Sequence, residues 1–215
     1  MFKEINYEDW DRKEIYDKFQ GYLFCVTVEV DITGFLERLK ARGLKFYPSI
    51  CYCIAKTANL DKAYRFCKCA GKIGYFEKVD AHYTVMRNHS DHLFTHMVTK
   101  YQEDFEAFYQ AFFADKEKAE NGTGLYFNAS SPLDTVHISI LPNTSFKALS
   151  YSKPASFTKY SAQTTSYIPF VTVGKYFQES QGVKLPVTAE FHHAVNDGYH
   201  AERFFQLLSQ TCEQF

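Results

Sequence analysis

The chain has 215 residues, with Lys+Arg 24 against Asp+Glu 25, a formal net charge of −1 and no basic run, which excludes an electrostatic nucleic-acid or anionic-membrane binder. Hydrophobic residues make up 46% and aromatics 18%, with 21 Phe and 16 Tyr, enough for a large core and for an apolar pocket or subunit interface besides. Met1 to Trp10 is too polar to be expected as a signal peptide, and no apolar run is long enough to span a bilayer. A cytoplasmic protein folded as a single domain over residues 1–215 is expected.

Asp9 to Phe19 reads as a short helix with Asp9 as its cap, Trp10, Ile15, Tyr16 and Phe19 on its apolar side, and Arg12 within it. Tyr22 to Val30 alternates, with Tyr22, Phe24, Val26, Val28 and Val30 on one face, and predicts a strand with one buried side. A helix opens at Asp31 or Thr33, runs to about Ala41 and stops at Gly43; Pro48 begins another that runs to about Leu60. Residues 62–80 read as short strands and turns, and Ala81–Met86 and Leu93–Val98 as strands that carry His82, His92 and His96. Those histidines are read as satisfied or exposed, because no Asp, Glu or Cys clusters with them in the sequence. Glu103 to Lys118 is a helix with Phe105, Phe108, Tyr109, Phe112 and Phe113 on one stripe, and Asn121 to Pro132 a loop.

Thr135 to Leu141 alternates again and puts Ser139 near a strand end, on the side of His137 and just before Pro142. Phe146 to Thr165 lacks periodicity. Ile168–Val173 and Val183–Phe191 are strands, and Ala201–Cys212 a helix. Seven or eight strands and four or five helices, unevenly interleaved, predict an α/β two-layer sandwich: a large mixed sheet with packed helices. Cysteines 25, 51, 53, 67, 69 and 212 fit a reducing compartment. The two C-x-C pairs lack the C-x₂₋₄-C spacing of zinc sites and are read as core or surface thiols.

Between the last strand and the last helix lies His192-His193-Ala194-Val195-Asn196-Asp197-Gly198-Tyr199-His200. Strand-to-helix connections are where open α/β sheets bind ligands. A histidine there is available as a general base at neutral pH, and Gly198 after Asp197 would permit a sharp turn. His192, His193 and Asp197 as metal ligands, or Asp197 as the cap of the next helix, remain open at this level.

Glu190 to His200 closely resembles the active-site signature of the chloramphenicol acetyltransferases, a trimeric class that shares its fold with other CoA-dependent acyltransferases carrying HHxxxDG. Further segments in order resemble the family's: Trp10-Asp11-Arg12-Lys13-Glu14, Val30-Asp31-Ile32-Thr33, Lys45-Phe46-Tyr47-Pro48, Tyr83-Thr84-Val85, His137-Ile138-Ser139-Ile140-Leu141-Pro142 and Phe170-Val171-Thr172-Val173-Gly174-Lys175-Tyr176. The resemblance implies acetyl transfer from acetyl-CoA, as co-substrate and without a metal, to a hydroxyl of chloramphenicol, which inactivates the antibiotic and confers resistance. It implies His193 as general base, Ser139 as donor to the oxyanion and Thr172 as acting on the same intermediate through water. It further implies an Arg12–Asp197 ion pair that shapes the loop, Phe24 and Tyr22 in the substrate pocket, and Ser139, Lys175 and Tyr176 at CoA. A homotrimer with its sites at subunit boundaries follows from the same resemblance. The sequence departs from the family pattern at Asn196 (usually Cys), at Asn143 (usually Trp), in a shorter stretch between Arg12 and Asp31, and from Phe146 to Tyr167. A related acyltransferase with another hydroxyl acceptor, or a non-catalytic binding member of the fold, are the alternatives.

Overall fold

The computed structural model describes residues 1–89, 92–127, 132–151 and 163–215. Among them are eleven strands and five α-helices: β1 Phe2–Glu4, α1 Lys13–Lys18, β2 Leu23–Asp31, α2 Thr33–Ala41, α3 Phe46–Leu60, β3 Phe66–Cys69, β4 Lys72–Phe76, β5 Asp80–Met86, β6 Phe94–Thr99, α4 Phe105–Glu120, β7 Thr135–Ile140, β8 Thr165–Ser166, β9 Phe170–Val173, β10 Phe177–Glu179, β11 Gly182–His192 and α5 Gly198–Glu213. A short 3-10 turn, Lys62–Tyr64, follows α3. The mixed α/β architecture expected from the sequence is present. Much of the Asn121–Pro132 and Phe146–Thr165 segments falls outside the described residues.

The main sheet has seven strands in the order β10-β11-β9-β7-β5-β6, with β2 on the other side of β11. The β5–β7 and β7–β9 pairs are parallel and the rest antiparallel. Strand β11 is the spine: β2 pairs with it from Lys184 to His192 while β9 covers Val187 to Glu190 from the opposite side. That central position is why its residues from Leu185 to Phe191 are buried on both faces, against the one-sided alternation of an edge strand. A smaller sheet runs β1-β4-β3-β8.

One face of the main sheet packs on the helices. Val30, Val85, Val136, Ile138, Val171, Val173, Leu185, Val187, Ala189 and Phe191 join Phe35, Ile50, Ile54, Phe108, Phe112, Phe204 and Leu208 in one buried cluster. Side-chain alternation then places Cys25, Thr27, Thr188, Glu190, Thr172, Ser139, His137 and His82 together on the opposite face. Cross-strand register aligns Ser139 with Thr172, Thr172 with Thr188, and Thr188 with Thr27, a row of hydroxyls across four strands. Thr27 and Thr188 hydrogen bond at 2.7 Å.

Of the helix boundaries that differ from the sequence reading, two starts have a clear physical cause. Helix α1 is shorter than Asp9–Phe19 because Tyr7 to Lys13 forms tight turns, Trp10 N–H to the Tyr7 carbonyl and Lys13 N–H to the Trp10 carbonyl. Those turns let Trp10 stack on Phe66 at 5.3 Å, and Asp9 bonds Asn6 rather than capping a helix. Helix α3 starts at Phe46, two residues before Pro48, which its first turn accommodates because a proline there forfeits no intrahelical bond. Gly43 follows α2 at φ +65°, as a helix stop requires.

Helix α5 is pinned to the sheet by Phe204, fully buried and edge-on to Tyr64 at 5.1 Å and to Phe191 at 5.7 Å. Replacing Phe204 with alanine is expected to cost about 3–5 kcal/mol, the range for emptying a buried phenylalanine site, read as a lowered urea midpoint.

Candidate active site

The loop His193 to Asp197 spans the gap between the spine strand and α5. Its two apolar residues, Ala194 and Val195, are buried in a second cluster with Tyr16, Phe66, Ile73 and Tyr167, against which Ile5, Tyr7, Trp10 and Tyr75 pack. Asn196 is fully buried and donates its side-chain amide to the Ala63 carbonyl at 3.0 Å, so it ties the loop to the turn after α3. The amide thus does structural work at the position where the resemblance leads one to expect a thiol.

Asp197 holds the loop's far end. It is the N-cap of α5: Oδ1 accepts from the Tyr199 and His200 N–H groups at 3.1 and 3.4 Å, with His200 completing a capping box. The His200 ring meets the same oxygen at 2.8 Å, and Oδ2 accepts from Arg12 Nη1 at 3.0 Å. Partial burial opposes the charge, but His200 and Arg12 outweigh it and hold the carboxyl at about 2. Capping and pairing are therefore simultaneous rather than competing readings of Asp197. Arg12 itself sits at the N-cap of α1, its Nε and Nη2 buried without a hydrogen-bond partner among the described residues.

His193 is half-buried. Its ring stacks on Phe19 at 4.2 Å and 13° and leans on Phe24 at 5.4 Å, while its N–H bonds the Tyr22 carbonyl at 2.9 Å. Phe24 thus touches the histidine, whereas Tyr22 is exposed and reaches it through backbone alone. His192 points elsewhere, edge-on to Tyr167 at 5.2 Å, so the adjacent imidazoles diverge. Among the described residues no group of three His, Cys, Asp or Glu is placed to hold a metal ion.

Ser139 and Thr172 are neighbours but stand apart from His193. Thr172 is buried, and its hydroxyl lies 2.9 Å from that of Tyr151. From Ser139 to His193 is five residues along β11 and two strand spacings across, about 19 Å at about 3.3 Å per residue and about 4.8 Å per strand. Lys175 and Tyr176 border a pocket of about 700 Å³ that also draws on Phe46, Tyr47, Asn143 and Pro142. With Thr84 to Met86 and the Lys116 and Glu120 side of α4, five segments remote in sequence converge there. Gly174, on the pocket's edge, is closely covered: a Cβ on it would lie 2.9 Å from both the Phe146 ring and Pro186.

One sequence inference is corrected. Gly198 is not required for a sharp turn: it is the first residue of α5, lacks a left-handed φ, and a Cβ there would meet nothing within 4 Å. The β-strand histidines form a group the sequence does not signal, because alternation on adjacent strands packs His82 at 4.0 Å from His137 and 4.9 Å from His96. Burial, then the neighbouring imidazoles, holds His82 at about 2; burial first, then His96, holds His137 at about 4. No local pattern signals this group, since its members come together only through sheet order.

Asp197→Asn preserves the cap and removes the charge pair, whereas Asp197→Ala loses both. The alanine variant is expected to be less stable than the asparagine variant by about 1 kcal/mol in urea unfolding. The carboxyl's depressed pKa stabilises the fold above about pH 4, and this contribution is lost as pH falls toward about 2; Asp197→Asn should flatten stability across that window. Gly198→Ala should leave stability within about 0.5 kcal/mol of the parent.

A family model described as chloramphenicol acetyltransferase matches residues 1–209. A chloramphenicol acetyltransferase of Clostridium perfringens is 32% identical, covering 100% of this chain and 96% of its own, and one of Staphylococcus intermedius is 31% identical, covering 94% and 92%. Among solved structures, a chloramphenicol acetyltransferase superposes with TM-score 0.84 at 21% identity over 98% of this chain and 99% of its own. The dihydrolipoamide acetyltransferase of Azotobacter vinelandii superposes with TM-score 0.67 at 16% identity, covering 93% and 86%. The chain belongs to the chloramphenicol acetyltransferase family.

Proposed function

We propose that this protein transfers the acetyl group of acetyl-CoA to a hydroxyl of chloramphenicol, inactivating the antibiotic in the cytoplasm and conferring resistance. The observation that carries this reading is the half-exposed ring of His193, held between Phe19 and Phe24 inside the loop that the family match covers. His193 Nδ1 is buried, so Nε2 is the nitrogen assigned to take the proton from the acceptor hydroxyl. The freed oxygen attacks the thioester carbonyl, a tetrahedral oxyanion forms, and its collapse breaks the C–S bond; the proton returns from His193 to the departing CoA sulfur. Ser139 donates to the oxyanion, and Thr172 supports the same intermediate through water. Arg12 and Asp197 hold the loop, Phe24 and Tyr22 border the acceptor, and Ser139, Lys175 and Tyr176 border CoA.

About 19 Å separates His193 from Ser139 along one chain, too far for both to meet one carbonyl. A second copy supplying the hydroxyls to the first copy's histidine resolves this and supports sites at subunit boundaries; the family resemblance makes the assembly a homotrimer. The whole of residues 1–215 then acts as one domain in each subunit.

Purified protein is expected to release CoA thiol only when acetyl-CoA and chloramphenicol are both present. His193→Ala should abolish release while circular dichroism stays unchanged, and Ser139→Ala should slow it about 10²- to 10³-fold. Release undiminished in His193→Ala would overturn the mechanism, and release with another alcohol but not with chloramphenicol would overturn the acceptor.

A further inference from the structure

Cys67 and Cys69 lie two apart in the extended strand β3, so their side chains leave the same face, and their sulfurs stand 3.3 Å apart. Cys67 is buried and Cys69 half-buried. Neither touches the histidine loop's polar groups, and the acetyl-transfer reading makes no use of them. Burial, and then the adjacent Cys69 thiol, pushes the Cys67 pKa above the usual thiol range, so it is a neutral thiol at neutral pH.

Three fates are open to such a pair, and geometry separates them. A disulfide would draw the sulfurs to about 2 Å and the Cβ atoms to about 3.8 Å. Same-face neighbours in a strand have Cα atoms about 6.6 Å apart, at the far end of the disulfide range, so closure would draw the two Cβ atoms together and strain β3 where it pairs Cys67 with Gly74 and Cys69 with Lys72. A zinc-like ion wants four ligands, and among the described residues no third His, Cys, Asp or Glu completes a set. A one-atom bridge that brings its own remaining substituent needs only the two sulfurs at their present separation.

We propose that Cys67 and Cys69 form a two-thiol binding site for trivalent organic arsenicals. An arsenoxide R–As=O, hydrated to R–As(OH)₂, first meets the more exposed Cys69. An As–S bond forms as one As–O bond breaks, and the thiol proton leaves with the hydroxide as water. Cys67 then displaces the second hydroxide in the same way. Counted from the arsenoxide, two S–H and one As=O become two As–S bonds and one water. Arsenic stays trivalent, nothing is oxidised, and the product carries no charge into the buried site. Cys53 and Cys212 also neighbour each other, but both are sealed in the core, at 0% and 1% exposure.

The test is intact-mass measurement of the purified protein after one equivalent of phenylarsine oxide in excess glutathione. One phenylarsenic group, gained with loss of one water, should persist against the monothiol, because the second As–S bond closes within the molecule. The dithiol 2,3-dimercaptopropanol should strip it. Cys69→Ser, at a half-exposed position, should lose the persistent adduct, Cys67→Ser should do the same, and Cys25→Ser should retain it. No persistent adduct on the parent protein, or one that survives in Cys69→Ser, overturns the proposal. Thiol release from acetyl-CoA, measured on the same samples, reports separately on the acetyl-transfer reading.

Discussion

A single carboxylate holds the candidate active site in shape. Asp197 spends one oxygen on the first turn of α5 and on His200, and the other on Arg12, eleven residues from the chain start. A charged hydrogen bond of this kind contributes about 1.5–3 kcal/mol and a helix cap about 1 kcal/mol. The arginine is the larger tether, and it is committed: its remaining buried nitrogens have no described partner to share the load. The consequence reaches four residues back. With the strand end fixed at His192 by pairing with Leu23, and the helix start fixed at Asp197, little freedom remains for His193.

Apolar packing closes the same loop from beneath. Ala194 and Val195 fill a cluster built by Tyr16, Phe66 and Tyr167, with the Tyr16 and Tyr167 hydroxyls bonded at 2.8 Å. Trp10 reaches that cluster because α1 starts late, so the segment that carries Arg12 is anchored by its neighbour's ring as well as by its own charge. Asn196 adds a buried bond to the turn after α3. Loop, first helix and small sheet therefore support one another, and the histidine's position is a product of all three.

How much of this a sequence can carry depends on whether the signal is local. The alternation in β2 and β7 and the stop at Gly43 are local, and each was legible within a few residues. Motif order along the chain gave the Arg12 to Asp197 pairing through resemblance, which no spacing rule would reach across 185 residues. Trp10 misleads because an aromatic that stacks on Phe66 looks, in a helical wheel, like a residue on a helix face. The packing of His82, His96 and His137 depends on which strands are neighbours, and the sequence order of strands does not state it. The lowered pKa values of His82 and His137 likewise follow from burial that only the fold creates.

The sheet also sets the distance that takes the proposed mechanism beyond one chain. A β-sheet is a rigid ruler: register sets Ser139 beside Thr172 and Thr172 beside Thr188, and strand length carries His193 away from them. No rotamer of a serine or histidine spans the remaining distance, and loosening the sheet would cost the core that β11 anchors on both sides. On the proposed mechanism, the histidine at one end of the ruler and the hydroxyls near its middle would form a single site with two copies set end of one against face of the other. On that arrangement the rigidity of the loop matters twice, because the geometry between acceptor and oxyanion donors is set by two folded chains rather than by one flexible tether.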